Sequence, residues 1–392
     1  MQRIPLHEVF GNDLVMPLWH AETMVADTST TEPNKGVASM HPEAVFLTAL
    51  VHIDGLGPHR ITHLCSQFGS AEAAWHAPAS ELRQAGLPWS LIANLQQSRT
   101  QHDPWHAAET MHAAGIDILT PHDEHYPGSL HHIPLAPPVL FVRGQRAALA
   151  GPCVAMVGTR HPSTYGIDVT TRLAGDLAMR GITVVSGLAL GIDAVAHQAA
   201  LRHSGGTVAV LPSGVDLIYP ERNRALAEQI LAHPQGALVS EFYPGTRATT
   251  ALFPARNRLI SGLALGSVVC EAGEQSGALI TAKAALEQGR EVMVVPGSIF
   301  SPQSAGCLAL LRQGATPVRH CDDICEAIGY QMPYQASTTL DPLLRLLQTP
   351  RHIDELCRLT QRSSADLLGD LLMRELRGEV CDQGHGFFVR AS

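Results

Sequence analysis

Between residues 153 and 328, short apolar runs alternate with longer segments whose apolar residues recur at helical spacing. Runs such as CVAMVG and SVVCEA are mostly apolar along their length, which is typical of strands buried on both faces of a parallel sheet. The segments between the runs, including 165–180, 191–203 and 277–288, have the periodicity of amphipathic helices. The alternation predicts an α/β fold with an extended Rossmann-like parallel sheet as its core.

The chain before this core has a different pattern. Residues 41–114 are predicted to form short helices, and the GLG turn at 55–57 separates two apolar-periodic stretches as in a helix-hairpin-helix (SAM-like) module. Such a hairpin either touches a DNA backbone or serves as a packing unit, and both alternatives remain open. The core is predicted to span 115–328, with 115–150 as a linker and leading strand, and residues 1–40 are interpreted as a mobile tail.

The chain after the core predicts a second small domain. Residues 329–340 have the Pro/Ser/Thr content of a linker, and 341–392 contain short helices followed by a terminal hairpin, which predicts a winged-helix domain. Its candidate recognition helix carries both signs of charge, because Asp366 and Asp370 lie in the same helix as Arg374. The sequence therefore does not decide whether this domain binds DNA or protein.

Glycine-rich turns follow several of the predicted strands. They are VGTR at 157–160, SGLALGID at 186–193, LPSGVDLIYP at 211–220, FPARNRLISG at 253–262 and QSGALITAK at 275–283. Ligands of parallel sheets bind where the carboxyl ends of the strands meet, so these turns are expected to converge. Helix N-termini favour anions, and Arg grips phosphate with a planar fork of donors. The pattern predicts a site for a phosphate-rich ligand.

Composition narrows the choice of ligand and compartment. The 27 basic and 36 acidic residues give a formal net charge of −9, which argues against coating duplex DNA through overall basicity but allows a local basic groove. The 8 cysteines are scattered without a C-x-x-C pair, as in proteins of a reducing cytosol. No signal peptide or membrane span is evident, so we expect a cytoplasmic protein.

Several catalytic motifs are missing from the sequence. The turn after the first core strand, VGTRHPSTYG, lacks the G-x-G-x-x-G of dinucleotide-binding proteins, and no Walker A lysine or G-x-S-x-G elbow occurs. The histidines between 122 and 132 lack the spacing of a zinc-protease motif and lie among prolines, so no metal site is predicted. Many anion holders and no evident nucleophile favour binding over catalysis, without a cofactor.

Six motifs together resemble the DNA-processing protein A (DprA/Smf) family. They are VGTRHPSTYG, VVSGLALGIDAVAH, AVLPSGVDLIYPERN, FPARNRLISGLALG, SGALITAKAALEQGREVMVVPGSI and the GCLALLRQGA stretch. The resemblance covers about 150–328 and continues more weakly on both sides. It implies a Rossmann-like core flanked by two small modules, single-stranded DNA binding, protection of incoming DNA, loading of the RecA recombinase in natural transformation (competence), and dimerisation through the core.

The resemblance also implies a set of phosphate-binding residues. By motif they are Gly158, Thr159, Arg160, Ser186, Gly187, Arg222 or Arg224, Arg256, Asn257, Arg258, Ser276, Gly277 and Lys283. Arg256 and Arg258 are two positions apart and point different ways on a helix, so one of them is expected to be structural. Glu241 and Glu271 are its candidate partners. LPSG replaces the family's usual small-residue turn, and Lys283 is placed equally well in the groove or on the surface.

An enzymatic alternative comes from a related Rossmann-like core, that of the phosphoribohydrolases that process nucleotides. Their P-G-G-x-G-T-x-x-E motif does not occur in this chain. The nearest analogue is CEAGEQSGALIT, in which Glu271 and Glu274 are the only plausible acids. A protein-interaction scaffold is a third possibility, and neither the dimer face nor the RecA-binding surface can be located from the sequence.

Overall fold

The computed structural model describes residues 40–203, 205–330, 342–347, 349–376 and 379–390. All but the last residue of the predicted N-terminal tail and most of the predicted linker before the last domain lie outside the described residues. Within the described residues, no helix is long and apolar enough to cross a membrane.

Six helices lie within residues 42–113. They are α1 (Pro42–Val51), α2 (Pro58–Phe68), α3 (Ala71–His76), α4 (Ala79–Gln84), α5 (Trp89–Gln101) and α6 (Pro104–Ala113). Their apolar faces meet in one buried cluster that includes Leu50, Ile61 and Leu95. The GLG turn joins α1 to α2, and Gly55 adopts a positive φ of 81° that an L side chain rarely adopts. The identity of this helical region as a helix-hairpin-helix module stays a prediction.

The core is built on a sheet of nine strands. They are β1 (Ile116–Leu119), β2 (Leu140–Gly144), β3 (Cys153–Gly158), β4 (Thr183–Ser186), β5 (Thr207–Val210), β6 (Gly236–Ser240), β7 (Gly266–Glu271), β8 (Glu291–Val294) and β9 (Thr316–Pro317). Their order across the sheet is β1-β2-β6-β5-β4-β3-β7-β8-β9. The strands from β6 to β9 in this order are parallel, which confirms the mostly parallel α/β core.

The edge of the sheet differs from the prediction of a wholly parallel sheet. β2 pairs antiparallel with both β1 and β6. Both strands come from the segment predicted as a linker and one leading strand. That segment also buries Tyr126, Leu130 and Ile133 in the core, so its apolar residues pack against the sheet.

Seven helices cover the two faces of the sheet. They are α7 (Thr164–Met179), α8 (Ile192–Arg202), α9 (Arg224–Ala232), α10 (Leu252–Leu263), α11 (Ala278–Glu287), α12 (Ala305–Arg312) and α13 (Cys321–Ala327). Alternate residues of β3 face opposite layers: Val154 and Met156 pack with α7, α8 and α13, while Ala155 and Val157 pack with α10, α11 and α12. This double burial is the physical reason for the nearly continuous apolar runs.

A separate small domain follows. It consists of α14 (Pro342–Leu346), β10 (Arg351–His352), α15 (Ile353–Thr360), α16 (Ser364–Leu376), β11 (Val380–Gly384) and β12 (Phe387–Arg390). The strands form an antiparallel sheet of order β10-β12-β11 around a core that includes Leu356, Leu371 and Phe388. On α16, Asp370 bonds both Arg362 and Arg374, at 2.7 and 2.8 Å. The winged-helix assignment stays a prediction.

Candidate nucleic-acid interface

A cleft of about 710 Å³ opens at the carboxyl ends of the central strands. The strand order reverses between β3 and β7: β3 continues toward β4 on one side, while β7 continues toward β8 on the other. Such a reversal leaves a crevice because the connections leave in opposite directions, and ligands of open α/β sheets bind there. The cleft is lined by the turn after β3, the turn after β7 and the start of α10.

The turn after β3 is fixed by its neighbours on both sides. The Thr159 amide donates to the Glu271 carbonyl oxygen at 2.7 Å, and the Thr159 carbonyl oxygen accepts from the Ile192 amide at 3.1 Å. Gly191 has a φ of 81°, and a Cβ there would collide with the backbone of Thr159 and Arg160. The Arg160 side chain is exposed on this rigid turn and lines the cleft.

Arg256 forms the floor of the cleft. It lies on the first half of α10 and is only 3% exposed. Its Nη1 donates to the carbonyl oxygens of Gly187 and Val210, at 2.5 and 2.6 Å, and its Nε donates to Asn257 Oδ1 at 3.0 Å. A Cβ on Gly187 would collide with the guanidinium, so glycine is required for this close packing. The guanidinium is therefore held in place before any ligand arrives.

Positive charge is concentrated in the cleft. The guanidinium carbons of Arg160 and Arg256 lie 5.6 and 5.7 Å from the ring centroid of Phe253, within the range of cation–π contact. Burial lowers the pKa of Arg256 to about 10, Asp193 opposes this shift, and the like charge of Arg160 adds to it. Burial also raises the pKa of the Asp193 carboxyl, against the effects of Arg256 and two backbone amides. Two adjacent guanidinium groups beside one buried carboxyl favour an anionic ligand.

The N-terminus of α11 supplies further donors. Ser276, Gly277 and Ala278 line the cleft. The Ser276 Oγ accepts from the Ala278 amide at 3.3 Å, whereas the Gly277 amide donates to no acceptor in the described part of the chain. A free amide at the positive end of a ten-residue helix, beside two guanidinium groups, suits a phosphate oxygen.

The structure brings part of the predicted set together. The predicted residues that line the cleft are Gly158, Thr159, Arg160, Arg256, Asn257, Ser276 and Gly277. They come from the turn after β3, the first half of α10 and the turn before α11, so segments far apart in the chain meet at the carboxyl ends of the strands.

Two predicted residues lie beneath the surface of the cleft. Ser186 is fully buried, and its hydroxyl donates to the Met156 carbonyl oxygen at 2.6 Å. The Gly187 amide donates to Asp193 Oδ2 at 3.1 Å, and its carbonyl oxygen accepts from Arg256. Both residues thus stabilise the site from below, because their polar groups are already used within the protein.

Four predicted basic residues lie outside the cleft. Arg258 forms an ion pair with Glu241, whose side chain is 6% exposed, so Arg258 is the structural member of the arginine pair. Arg224 donates to the Glu221 carboxylate at 2.6 and 2.8 Å on the surface. Arg222 is exposed beside it, and Lys283 Nζ lies 3.8 Å from Glu287 on the exposed side of α11.

The cleft also contains residues absent from the predicted set. Tyr219 and Ile280 line it and are 45% and 46% exposed, and Phe253, the first residue of the FPARNRLISG motif, contacts both guanidinium groups. Tyr219 belongs to the LPSGVDLIYP turn. The position of that turn after a core strand was the available signal, but nothing in its residues distinguishes a cleft tyrosine from a packed one.

The two acidic residues of the hydrolase alternative, Glu271 and Glu274, do not line the cleft. The Glu271 carboxylate accepts from the Ser163 amide and hydroxyl at 2.8 and 2.6 Å, and so caps the N-terminus of α7. Glu274 is exposed and does not line the cleft. Asp193 is the one carboxylate among the described lining residues, and it is buried against backbone amides.

The fold is an α/β protein with a mostly parallel sheet and a cationic cleft at the carboxyl ends of its strands, and comparisons with known proteins give the family. A family model described as DNA recombination-mediator protein A matches residues 117–329. Protein Smf of Synechocystis sp. is 38% identical over 292 residues, which cover 73% of each chain. The chain belongs to the DNA recombination-mediator protein A family, as its motifs indicated.

Two further relatives agree with this assignment. DNA processing protein DprA of Bacillus subtilis is 41% identical over 215 residues, 55% of this chain and 72% of that protein. The X-ray structure of DNA processing protein A (DprA) from Streptococcus pneumoniae is 31% identical, with a TM-score of 0.63 over 72% of this chain and 97% of that one. The similar structure supports the α/β core described above.

Proposed function

We propose that the cleft binds the sugar-phosphate backbone of single-stranded DNA, and that the protein acts in recombination as a non-enzymatic mediator. The observation that carries the proposal is the pair of guanidinium groups on Phe253, Arg160 at the rim and Arg256 at the floor. Charge-assisted hydrogen bonds to phosphate contribute about 1.5–3 kcal/mol each. Membership of the family supports DNA as the phosphate-rich ligand.

A single strand fits this cleft better than a duplex does. Arg256 is 3% exposed, so a phosphate reaches it only by entering the cleft. A flexible strand bends into such a site, whereas the phosphates of a duplex lie on the outside of a stiff cylinder. The net charge of −9 over the whole chain also argues against duplex binding through overall basicity.

The salt dependence of binding tests the role of Arg160. For single strands, log affinity falls against log salt with a slope of about −0.7 per neutralised phosphate. We expect Arg160→Gln to weaken binding of a labelled oligonucleotide in fluorescence anisotropy and to reduce the slope by about 0.7. Arg172→Gln is the matched control, since Arg172 is an exposed arginine of α7 that lies outside the cleft. Equal losses in both variants, or equal affinity of the wild-type protein for duplex, would contradict the proposal.

The wider role that we propose is protection of incoming single strands and loading of RecA recombinase during natural transformation, by a homodimer that assembles through the core. Its support is family membership. The free cysteines, five of them buried, suit the reducing cytoplasm in which such a protein would act. RecA filament formation on strands coated with a single-strand-binding protein should accelerate when this protein is added. An unchanged filament rate would refute the loading role, and a monomer in sedimentation would refute the dimer.

A further inference from the structure

Tyr219 and Phe253 line the cleft with six-membered aromatic rings, and Tyr219 is the more exposed of the two. It is 45% exposed, and its ring packs against Phe253 at a centroid distance of 5.8 Å and an interplanar angle of 77°. The ring of Phe253 is already covered by the guanidinium groups of Arg160 and Arg256. A T-shaped contact engages at most one face of the tyrosine ring, and Tyr219 is largely open to solvent, so the ring offers a flat apolar surface beside the cationic part of the cleft.

The backbone around Tyr219 is held in place by polar contacts. The Ser213 hydroxyl donates to the Leu217 carbonyl oxygen at 2.6 Å, before the tyrosine. After it, Asn223 is buried, and its Nδ2 donates to the Leu188 carbonyl oxygen at 2.8 Å. The first bond closes the turn on itself, and the second ties it to the loop between β4 and α8. The ring is therefore presented to the cleft by a fixed segment, which lowers the entropy lost when a ligand stacks on it.

We propose that Tyr219 is a base-stacking residue that receives an unpaired base of the nucleotide whose phosphate lies between Arg160 and Arg256. The inference rests on the proposed function and adds a binding site for the base. Base stacking on aromatic rings tolerates any base, because every base has a π-face. Paired bases keep their faces stacked within the helix, so the ring also distinguishes single strands from duplex.

The phenol is a second feature of the site. Within the described residues, the Tyr219 hydroxyl has no hydrogen-bond partner. Tyr219→Phe therefore removes the hydroxyl and keeps the stacking face, whereas Tyr219→Ala removes both. The comparison of the two variants separates stacking from hydrogen bonding.

The test uses the full chain and two labelled oligonucleotides of equal length, one of thymidines and one with abasic sites throughout. Stacking on one aromatic ring contributes about 1–3 kcal/mol, which corresponds to roughly 5- to 150-fold in affinity. We expect Tyr219→Ala to lose affinity for the thymidine strand within this range and to bind the abasic strand as the wild-type protein does. Tyr219→Phe should stay within about twofold of wild type on both strands.

The control is Tyr165→Ala, which removes another exposed tyrosine, one that donates to the Pro296 carbonyl oxygen and does not line the cleft. It should leave both affinities unchanged. Photocrosslinking of a strand that contains iodouracil should in addition label the peptide with Tyr219 in the wild-type protein.

The outcomes separate the two proposals. If the wild-type protein binds strands but Tyr219→Ala binds the thymidine strand as tightly, the stacking role is refuted and the proposed function stands. If Tyr219→Ala loses equally on both strands, Tyr219 only positions Phe253, and the inference is again refuted. If the wild-type protein binds neither strand, the proposed function fails and the stacking role fails with it.

Discussion

Gly187 provides the sharpest test of how the cleft is built. In Gly187→Ala, the new Cβ would occupy the place of the Arg256 guanidinium, since the three atoms nearest to it all belong to that group. The guanidinium must then move away from the carbonyl oxygens of Gly187 and Val210, which it bonds at 2.5 and 2.6 Å. A hydrogen bond from a charged donor contributes about 1.5–3 kcal/mol.

Those contacts set the expected magnitude. Loss of both bonds would destabilise the protein by about 3–6 kcal/mol, and relief of the overlap by side-chain movement alone would cost about 1–3 kcal/mol. Arg256 is 3% exposed, so water cannot easily replace the lost carbonyl oxygens, although the group can shift toward the open cleft. We therefore expect about 3 kcal/mol, a large part of a typical free energy of unfolding.

Urea denaturation of four proteins measures this effect as a double-mutant cycle. The proteins are the wild type, Gly187→Ala, Arg256→Ala and the double variant. Because the overlap is with Arg256 itself, the glycine substitution should cost less than about 1 kcal/mol in the Arg256→Ala background. Gly151→Ala is the control, since its Cβ meets nothing within 4 Å. Equal cost of Gly187→Ala in both backgrounds would show that the close packing on Arg256 is not what requires glycine.

Two further predictions concern buried groups around the site. Arg258→Met leaves Glu241 buried without its partner, so it should destabilise the protein by about 3–5 kcal/mol yet preserve the salt slope of DNA binding, and a reduced slope would contradict its structural role. Burial, aided by Arg256, lowers the pKa of His197 to about 3, so the unfolded chain takes up this proton below about pH 6.5 and the folded chain does not. The stabilising contribution of the neutral His197 is thus present above pH 6.5 and is lost as pH falls below it. Between pH 7 and pH 5, the free energy of unfolding measured in urea titrations should therefore fall by about 2 kcal/mol less in His197→Gln than in the wild type. An equal fall in the two proteins would refute this.

The tautomer of His197 follows from its neighbours. The Thr207 hydroxyl donates to the Val184 carbonyl oxygen at 2.9 Å, so it can only accept from His197 Nδ1, at 2.7 Å. Nδ1 therefore carries the proton in the neutral ring. Nε2 is buried without a partner in the described structure, and protonating it would place a charge in that position.

Strands of the core could be predicted closely because both faces of the sheet are covered. The run CVAMVG coincides with β3, and SVVCEA overlaps β7 to within one residue at each end. β1 was not predicted because the strand has only four residues, IDIL, and one of them is charged. The antiparallel pairing of β2 could not be predicted either, since the direction of pairing depends on the neighbouring strand rather than on the residues of β2.

The site could be predicted at the level of turns but less well at the level of side chains. Parallel strands bring their carboxyl ends together, so turns far apart in the chain had to meet. Which member of the Arg256 and Arg258 pair faces the cleft depends on the position of Glu241 at the end of β6, which no local pattern gives. Tyr219 lies in an irregular turn without periodicity, so its exposure is a property of the folded chain alone.

Under the proposed function, the burial of Arg256 would explain how an acidic protein holds a polyanion. Its guanidinium loses most of its water on folding, and carbonyl oxygens and a neighbouring carboxyl compensate for that loss. A phosphate that enters the cleft therefore meets a cation that is already oriented and poorly hydrated, so the ligand supplies most of the new desolvation. Electrostatic attraction is stronger in such surroundings than at a solvated lysine on the surface. In the proposed binding mode, the binding energy thus depends on the few charges of the cleft rather than on the net charge of the chain.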